Sequence, residues 1–456
     1  MTGQNVTRQR SSNASGRTTD QTPSPNPTPA QHIQADRHQS GRSFAERFVA
    51  TRARTEALAA PLGAEDQVVQ SMPDCSPAKW HLAHVTWFFE TFILVPEAAA
   101  YRVKNPAYAF LFNSYYEALG ERHPRPERGL LTRPTVAEVM AYRRHVTDAL
   151  ADLLAGAGAD QLARIGPLVA LGLAHEEQHQ ELLLMDILHL FSCNPLKPAY
   201  QPFRAGAMAG APPLAWFDYP GGVLEIGRAP DAQGFAFDNE SPRHDVLLRP
   251  FRLASRAVTN GEWMQFIADG GYRRPELWLA DGWAAVRRDG WCAPLYWQEA
   301  DGGFQAFSLS GLRSVNPEAP VCHVSFFEAD AFARWSGRRL PSEAEWEIAA
   351  ASLTPEGNTL GSGLLCPQAA PHATGQPQQM FGDVWEWTQS SYAPYPGFRA
   401  PAGAVGEYNG KFMCSQMVLK GGACVTPDGH ARATYRNFFY PHQRWMFAGL
   451  RLADDA

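Results

Sequence analysis

From Ser43 onward the chain reads as a helical pattern. The segments FAERFVATRARTEALAAPL (44–62), AKWHLAHVTWFFETFILV (78–95), VAEVMAYRRHVTDALADLLAG (136–156) and PLVALGLAHEEQHQELLLMDILHLF (167–191) place apolar residues three and four apart. That spacing lines one face of an α-helix. Four such segments predict a four-helix bundle. Between the second and third, residues 96–134 lose the helical period and include FLFNSYYEALGERHPRPERGLL; an irregular excursion this long inside a bundle predicts a functional loop. The period stops near Phe191, and the Pro/Gly/Ala-rich stretch that follows reads as a linker. Beyond it the pattern breaks into short strands between Gly and Pro turns, with helices expected at FEADAFARWSG and SEAEWEIAAAS. Ser342, with Glu345 three residues on, forms a capping box for the latter. Residues 1–40 are rich in Ser, Thr, Gln, Asn and Pro, bury too little apolar surface to offset their ordering entropy, and are expected to be a disordered tail. The expected organisation is thus α+β: tail 1–40, helix bundle 41–195, linker 196–215 and a strand-rich domain 216–456. No internal repeat is evident.

Composition narrows the class. A chain of 456 residues exceeds what one core usually serves. A net charge of −6 and a pI near 6.2 argue against a nucleic-acid partner. No segment approaches the roughly 18 apolar residues of a membrane helix, and the first residues, MTGQNVTRQRSSN, lack the apolar stretch of a secretory signal. Seven scattered cysteines without a C-x-x-C pair fit reduced thiols in a cytoplasm.

The candidate chemistry lies in two histidine pairs. HEEQH at 175–179 puts two imidazoles four residues apart, on one helix face, where both reach one ion. H-E-x-x-H also marks zinc proteases, with the Glu as general base. The long form of that motif needs Gly and His where this chain has Leu182 and Met185. The bland alternative is a solvated helix face, since Glu176, Glu177 and Glu181 surround both histidines. HLAHV at 81–85 offers a third imidazole from another helix, a natural arrangement for a bundle-core metal site. Spacing alone does not choose between His81, nearer the helix start, and His84, among apolar positions. Three neutral imidazoles leave further positions open on an ion, and Fe(II) so held would welcome an anionic thiolate.

HLAHV with HEEQH resembles the DinB-like iron-binding bundle of the ergothioneine-pathway sulfoxide synthases. RRLPSEAEWEIAA, FGDVWEWT, LKGGA and FAGLRLA resemble the formylglycine-generating-enzyme fold, a C-type-lectin-like domain. The resemblance runs from about residue 43 to the end, and the fusion in this order is specific. It implies Fe(II) held by His84, His175 and His179, with O2 as co-substrate. It also implies that a cysteine sulfur is joined to imidazole C2 of N,N,N-trimethylhistidine (hercynine) and oxidised to a sulfoxide. Gln178 is similar to the residue that hydrogen-bonds the imidazole, and Asn437 and Phe438 to the pair that receives the trimethylammonium group, which aromatic faces attract. Family members that take γ-glutamylcysteine carry an acidic residue where this chain has Phe439. Adjacent tyrosines, Tyr115 and Tyr116, resemble the branch that uses free cysteine, where a hydroxyl would act as general acid. Arg125 and Arg128 match an arginine pair that grips thiol-substrate carboxylates. The partners so implied are small molecules, hercynine and cysteine, with no nucleic acid and no membrane. A structural Ca2+ in the second domain is a further possibility. Competing readings are γ-glutamylcysteine or a selenium donor as substrate, a non-catalytic DinB-like metal- or thiol-binding module, and copper chemistry at paired thiolates, for which only Cys414 and Cys424 stand late in the chain.

Overall fold

The computed structural model describes residues 44–206, 210–372 and 375–456; the expected tail over 1–40 lies outside the described residues. All four periodic segments are helices: α1 Phe44–Ala59, α2 Ala78–Phe89, α3 Val136–Gly156 and α4 Ala159–Cys193. The last begins earlier than its apolar period and passes through Pro167; proline favours a first turn but does not always end a helix. α3 starts on a capping box between Thr135 and Glu138.

Every residue of α2 is buried, including Lys79, His81 and His84. It is therefore the central helix, wrapped on all sides, and not a surface helix with one apolar stripe. A π-helical turn, Glu90–Leu94, prolongs it. The buried Glu90 then accepts hydrogen bonds from Tyr142 of α3 (2.5 Å) and Tyr101 of the excursion (2.6 Å). At the loop's far end, Lys79 Nζ donates to the Leu131 and Pro134 carbonyls at 2.6 and 2.9 Å. The excursion is thus tied to the bundle at both ends.

The second half builds several small sheets. In the four-stranded one, spatial order runs Asn437–Phe439, Met417–Lys420, Trp385–Ser391, Ala448–Leu450, with only the last pair parallel. A three-stranded sheet pairs Phe251–Ala254 with both Trp216–Tyr219 and Ala453–Asp455, closing the domain's first strand onto the chain's last. The expected helices appear at Phe326–Trp335 and Glu343–Ala350, the latter on its Ser342/Glu345 capping box. Two more, Asn260–Ala268 and Ala280–Asp289, are not evident in the apolar period. The α+β expectation holds, helical half first.

Among its described residues, the stretch between α4 and Trp216 has no regular element but is anchored. Tyr200 is buried, its hydroxyl donating to the Leu58 carbonyl at 2.7 Å and its N–H to that of Leu309 at 2.8 Å. One cluster of buried apolar side chains runs from Phe48 through Leu188 to Leu452, so the two halves share a core. Among the described residues no helix is long and apolar enough to cross a membrane.

Candidate metal centre

At 100° per residue, HEEQHQE points its side chains in three directions, and each meets a different neighbour. His175 and His179 turn toward α2. Glu176 and Gln180 turn into the bundle. The Glu176 carboxylate takes hydrogen bonds from Arg52 (3.0 Å), Thr55 (2.7 Å) and Arg143 (3.0 Å). Gln180 donates to the Thr51 carbonyl and Thr55 hydroxyl. Glu177, Gln178 and Glu181 turn onto the second domain. Glu177 pairs with His430 at 2.8 Å, while Glu181 accepts from Trp385 Nε1 and Thr426 Oγ1, each at 2.6 Å. The solvated-face reading therefore fails: the helix is enclosed on three sides. The protease reading fails with it. Burial alone would raise the Glu176 carboxyl, but Arg52 and Arg143 pull it down to about 2. Saturated by three donors, it has no base chemistry to offer.

His84, His175 and His179 are all buried, and one nitrogen from each lies within 4.8 Å of the others. Among the described residues no other group of three or more His, Cys, Asp or Glu side chains converges in this way, so no carboxylate cluster marks a calcium site in the second domain. His84 Nδ1 lies 2.6 Å from the Phe112 carbonyl, which can only accept. The proton is thus on Nδ1, and the Nε2 lone pair faces the cluster without a partner. Both His175 nitrogens also lack partners. Buried polar atoms are almost always paired, so orphans converging from two helices fit a metal ion. Burial holds His84 and His179 well below the ordinary imidazole range and His175 at about 3, so all three imidazoles are neutral at neutral pH.

His81 takes no part in this group; it stands behind His179, Nδ1 to Nδ1 at 2.8 Å. The two histidines meet different neighbours. The His84 ring lies between Trp80 (4.6 Å) and Trp87 (5.7 Å), stacked on both. Positions 80, 84 and 87 share one helix face, so that sandwich was visible in the spacing.

The other expected residues fall around this cluster to different degrees. Gln178 donates to Tyr435 Oη at 2.6 Å and accepts from the Tyr408 hydroxyl; its amide carries a second N–H beyond that bond. The Tyr408 ring lies 5.6 Å from that of His175. The Tyr115 and Tyr116 rings lie 4.6 Å apart, tilted by 32°, with hydroxyls 3.5 Å apart, and Tyr116 packs on Trp87 at 5.7 Å. Burial pushes both hydroxyls above the ordinary phenol range, so both stay protonated. The second domain holds this pair: Glu407 accepts the N–H groups of Glu117 and Ala118 at 3.0 and 2.9 Å, and Lys411 donates to the Tyr115 carbonyl. Arg128 is buried 3.4 Å above the Trp80 ring, bonded to Ser76 and Ser114, with Nε unpartnered. Arg125 is exposed and spends its guanidinium on the Asp74 carbonyl at 2.6 Å. Asn437 binds the N–H of Phe438, whose ring stacks on Tyr392 at 4.0 Å, while Phe439 packs on Trp445.

Tyr408, Tyr435 and Asp238 were not anticipated. Asp238 accepts from Asn409 at 2.6 Å through one oxygen, while the other is buried without a partner. Burial raises this carboxyl. Nothing periodic flags these residues, because they sit on second-domain segments whose place is set only by docking. Cys414 is exposed and Cys424 buried, and neither joins a ligand group among the described residues.

Residues 47–183 match the DinB superfamily, and residues 218–363 and 370–456 match the sulfatase-modifying factor enzyme 1-like domain. The protein is thus a two-domain enzyme in which a helical DinB domain and such a module enclose a buried imidazole cluster between them. The chain is 34% identical to the hercynine oxygenase of Mycobacterium tuberculosis over 84% of its length and 92% of that protein. Against the hercynine oxygenase of Mycolicibacterium thermoresistibile it is 34% identical over 84% of this chain and 88% of the relative. It belongs to the hercynine oxygenase family and is an oxidoreductase of the sulfoxide synthase type. The second half also resembles the formylglycine-generating enzyme of Streptomyces coelicolor, 30% identical over 52% of this chain and 88% of that one.

Proposed function

We propose that the protein joins the sulfur of cysteine to imidazole C2 of hercynine and oxidises that sulfur, at an Fe(II) ion held by His84, His175 and His179. The observation that carries the reading is the convergence of unpartnered, neutral imidazole nitrogens where the two domains meet. Bound Fe(II) would supply O2 activation and a seat for the thiolate beside its three neutral ligands. The reaction balances without an external reductant. The S–H and C2–H bonds break and a C–S bond forms; one oxygen atom goes to sulfur, and the other leaves as water with the two hydrogens.

The chain's own residues divide the rest. Gln178, aligned by Tyr408 and Tyr435, offers its remaining N–H to the hercynine imidazole. Asn437 and Phe438 receive the trimethylammonium group. Tyr115 and Tyr116, kept protonated by burial, supply the proton that O2 reduction consumes. Arg128 is the better placed of the two arginines for the cysteine carboxylate, because its Nε is uncommitted while Arg125 is already engaged. Phe439, packed on Trp445, offers no charge partner to a glutamyl amine, which disfavours a charged glutamyl arm.

The test is a product assay by mass after anaerobic loading with Fe(II), then hercynine and O2 with cysteine, γ-glutamylcysteine or a selenium donor. Sulfoxide from cysteine alone is expected. Coupling with γ-glutamylcysteine or selenium in preference would overturn the donor assignment. Loss of coupling with every donor would sink the enzyme reading in favour of a binding module.

A further inference from the structure

Behind the candidate ligands stands a second buried hydrogen-bonded set. His179 Nδ1 meets His81 Nδ1 at 2.8 Å, and His81 Nε2 meets Asp186 Oδ2 at 3.0 Å. Oδ2 also accepts the Ser76 N–H at 2.7 Å, while Oδ1 accepts Trp445 Nε1–H at 3.0 Å. All four side chains are buried. His81 is outside the converging group of three, and no step of the proposed reaction uses Asp186.

Geometry fixes the protons. The Ser76 amide and the Trp445 indole can only donate, so both Asp186 oxygens act as acceptors. As a carboxylate, Asp186 has no proton of its own to give, and the hydrogen of the His81 contact lies on His81 Nε2. A single proton on His81, at Nε2, leaves a lone pair at Nδ1. His179 must donate from its own Nδ1, which leaves the His179 lone pair on Nε2. Partners that hold the second ring nitrogen set the tautomer and orientation of a metal-binding imidazole.

We infer that Asp186 and His81 are positioning residues that hold His179 in its Nδ1–H form for metal binding, and that Trp445 ties this relay to the second domain. The inference rests on the metal reading of the three-histidine cluster for its purpose, though the tautomer itself does not depend on a metal. It assigns His81 the task His84 leaves to a backbone carbonyl: two of the three candidate ligands have Nδ1 anchored, His84 by Phe112 and His179 by the dyad.

Two measurements on the full-length chain test it. Anaerobic titration with Co(II), a spectroscopic stand-in for Fe(II), should show affinity lowered about 10- to 100-fold in His81→Phe and Asp186→Ala, and less in Trp445→Phe. Asp186→Asn should lose no more than Trp445→Phe, because its amide oxygen can still accept from both His81 and Ser76 while its N–H2 takes the place of the acceptor that Trp445 Nε1–H uses. Nitrogen-15 histidine spectra of the metal-free protein should show His179 protonated at Nδ1 in wild type and Asp186→Asn, and lose that signature in Asp186→Ala. Wild-type affinity and an unchanged His179 tautomer in Asp186→Ala would overturn the inference, as would a wild-type His81 protonated on both nitrogens. Wild-type protein that shows the expected tautomer but binds neither Co(II) nor Fe(II) would instead refute the metal reading.

Discussion

At the scale of the residue, His175 carries the clearest consequence. Its folded pKa lies at about 3, below the ordinary 6.5, because burial disfavours the imidazolium. A folded pKa depressed in this way means that the unfolded state takes up a proton first on acidification. Stability is therefore untouched above pH 6.5 and falls as the pH drops from about 6.5 toward 3. Glu176 acts lower and in the same direction, its stabilisation present above the ordinary 4.5 and lost as the pH falls toward about 2. Denaturant titrations of the metal-free protein at pH 7.5, 5.5 and 4.5 should show midpoints descending in that order. Replacing the His175 imidazole, as in His175→Phe, should lessen the upper part of that dependence, to which His84 and His179 also contribute, and abolish Co(II) binding. For the tyrosines, changing both Tyr115 and Tyr116 to Phe should lower sulfoxide formation about 100-fold or more, the usual worth of a general acid, and divert thiol toward plain dioxygenation. An unchanged product ratio by mass would remove them from the chemistry.

At the scale of the element, α4 shows why one helix carries so much. Its three faces join α2, the α1–α3 pair and the second domain at once. The Arg52–Glu176–Arg143 group pins the bundle around the metal face. Replacing Arg143 by Met strands a buried carboxylate with half its charge compensation and should cost about 3–5 kcal/mol by chemical denaturation. Much of α4 was legible in the sequence: the i, i+4 pair of histidines, its apolar period and its end near Phe191. Its true start was not, because Pro167 imitates a first turn. The roles of Glu176, Glu177 and Glu181 were not either. Charged residues around a histidine pair look solvated until partners 33 to 253 residues away are brought to them.

At the scale of the whole molecule, the shared core makes each half part of the other's site. The tyrosine loop belongs to the helical half, yet its N–H groups are capped by Glu407 from the other. Glu407→Ala should leave Co(II) affinity near wild type while lowering kcat/KM about tenfold, the scale of effect that loosened orientation brings. A change in metal affinity as large as that in His81→Phe would show the loop to be part of the metal site itself.

Local pattern along the chain set the four bundle helices, the order of the two halves, and the imidazoles from which an ion-binding group is drawn, because periodicity and i, i+4 spacing need no distant partner. Only the tertiary structure decided between His81 and His84. Three residues apart on one helix, they are near neighbours in direction, and what separates them is the far partner each meets: the Phe112 carbonyl for one, Asp186 for the other. His81 has both ring nitrogens engaged, by His179 and Asp186, whereas His84 keeps Nε2 without a partner, and that difference depends on atoms brought together by folding.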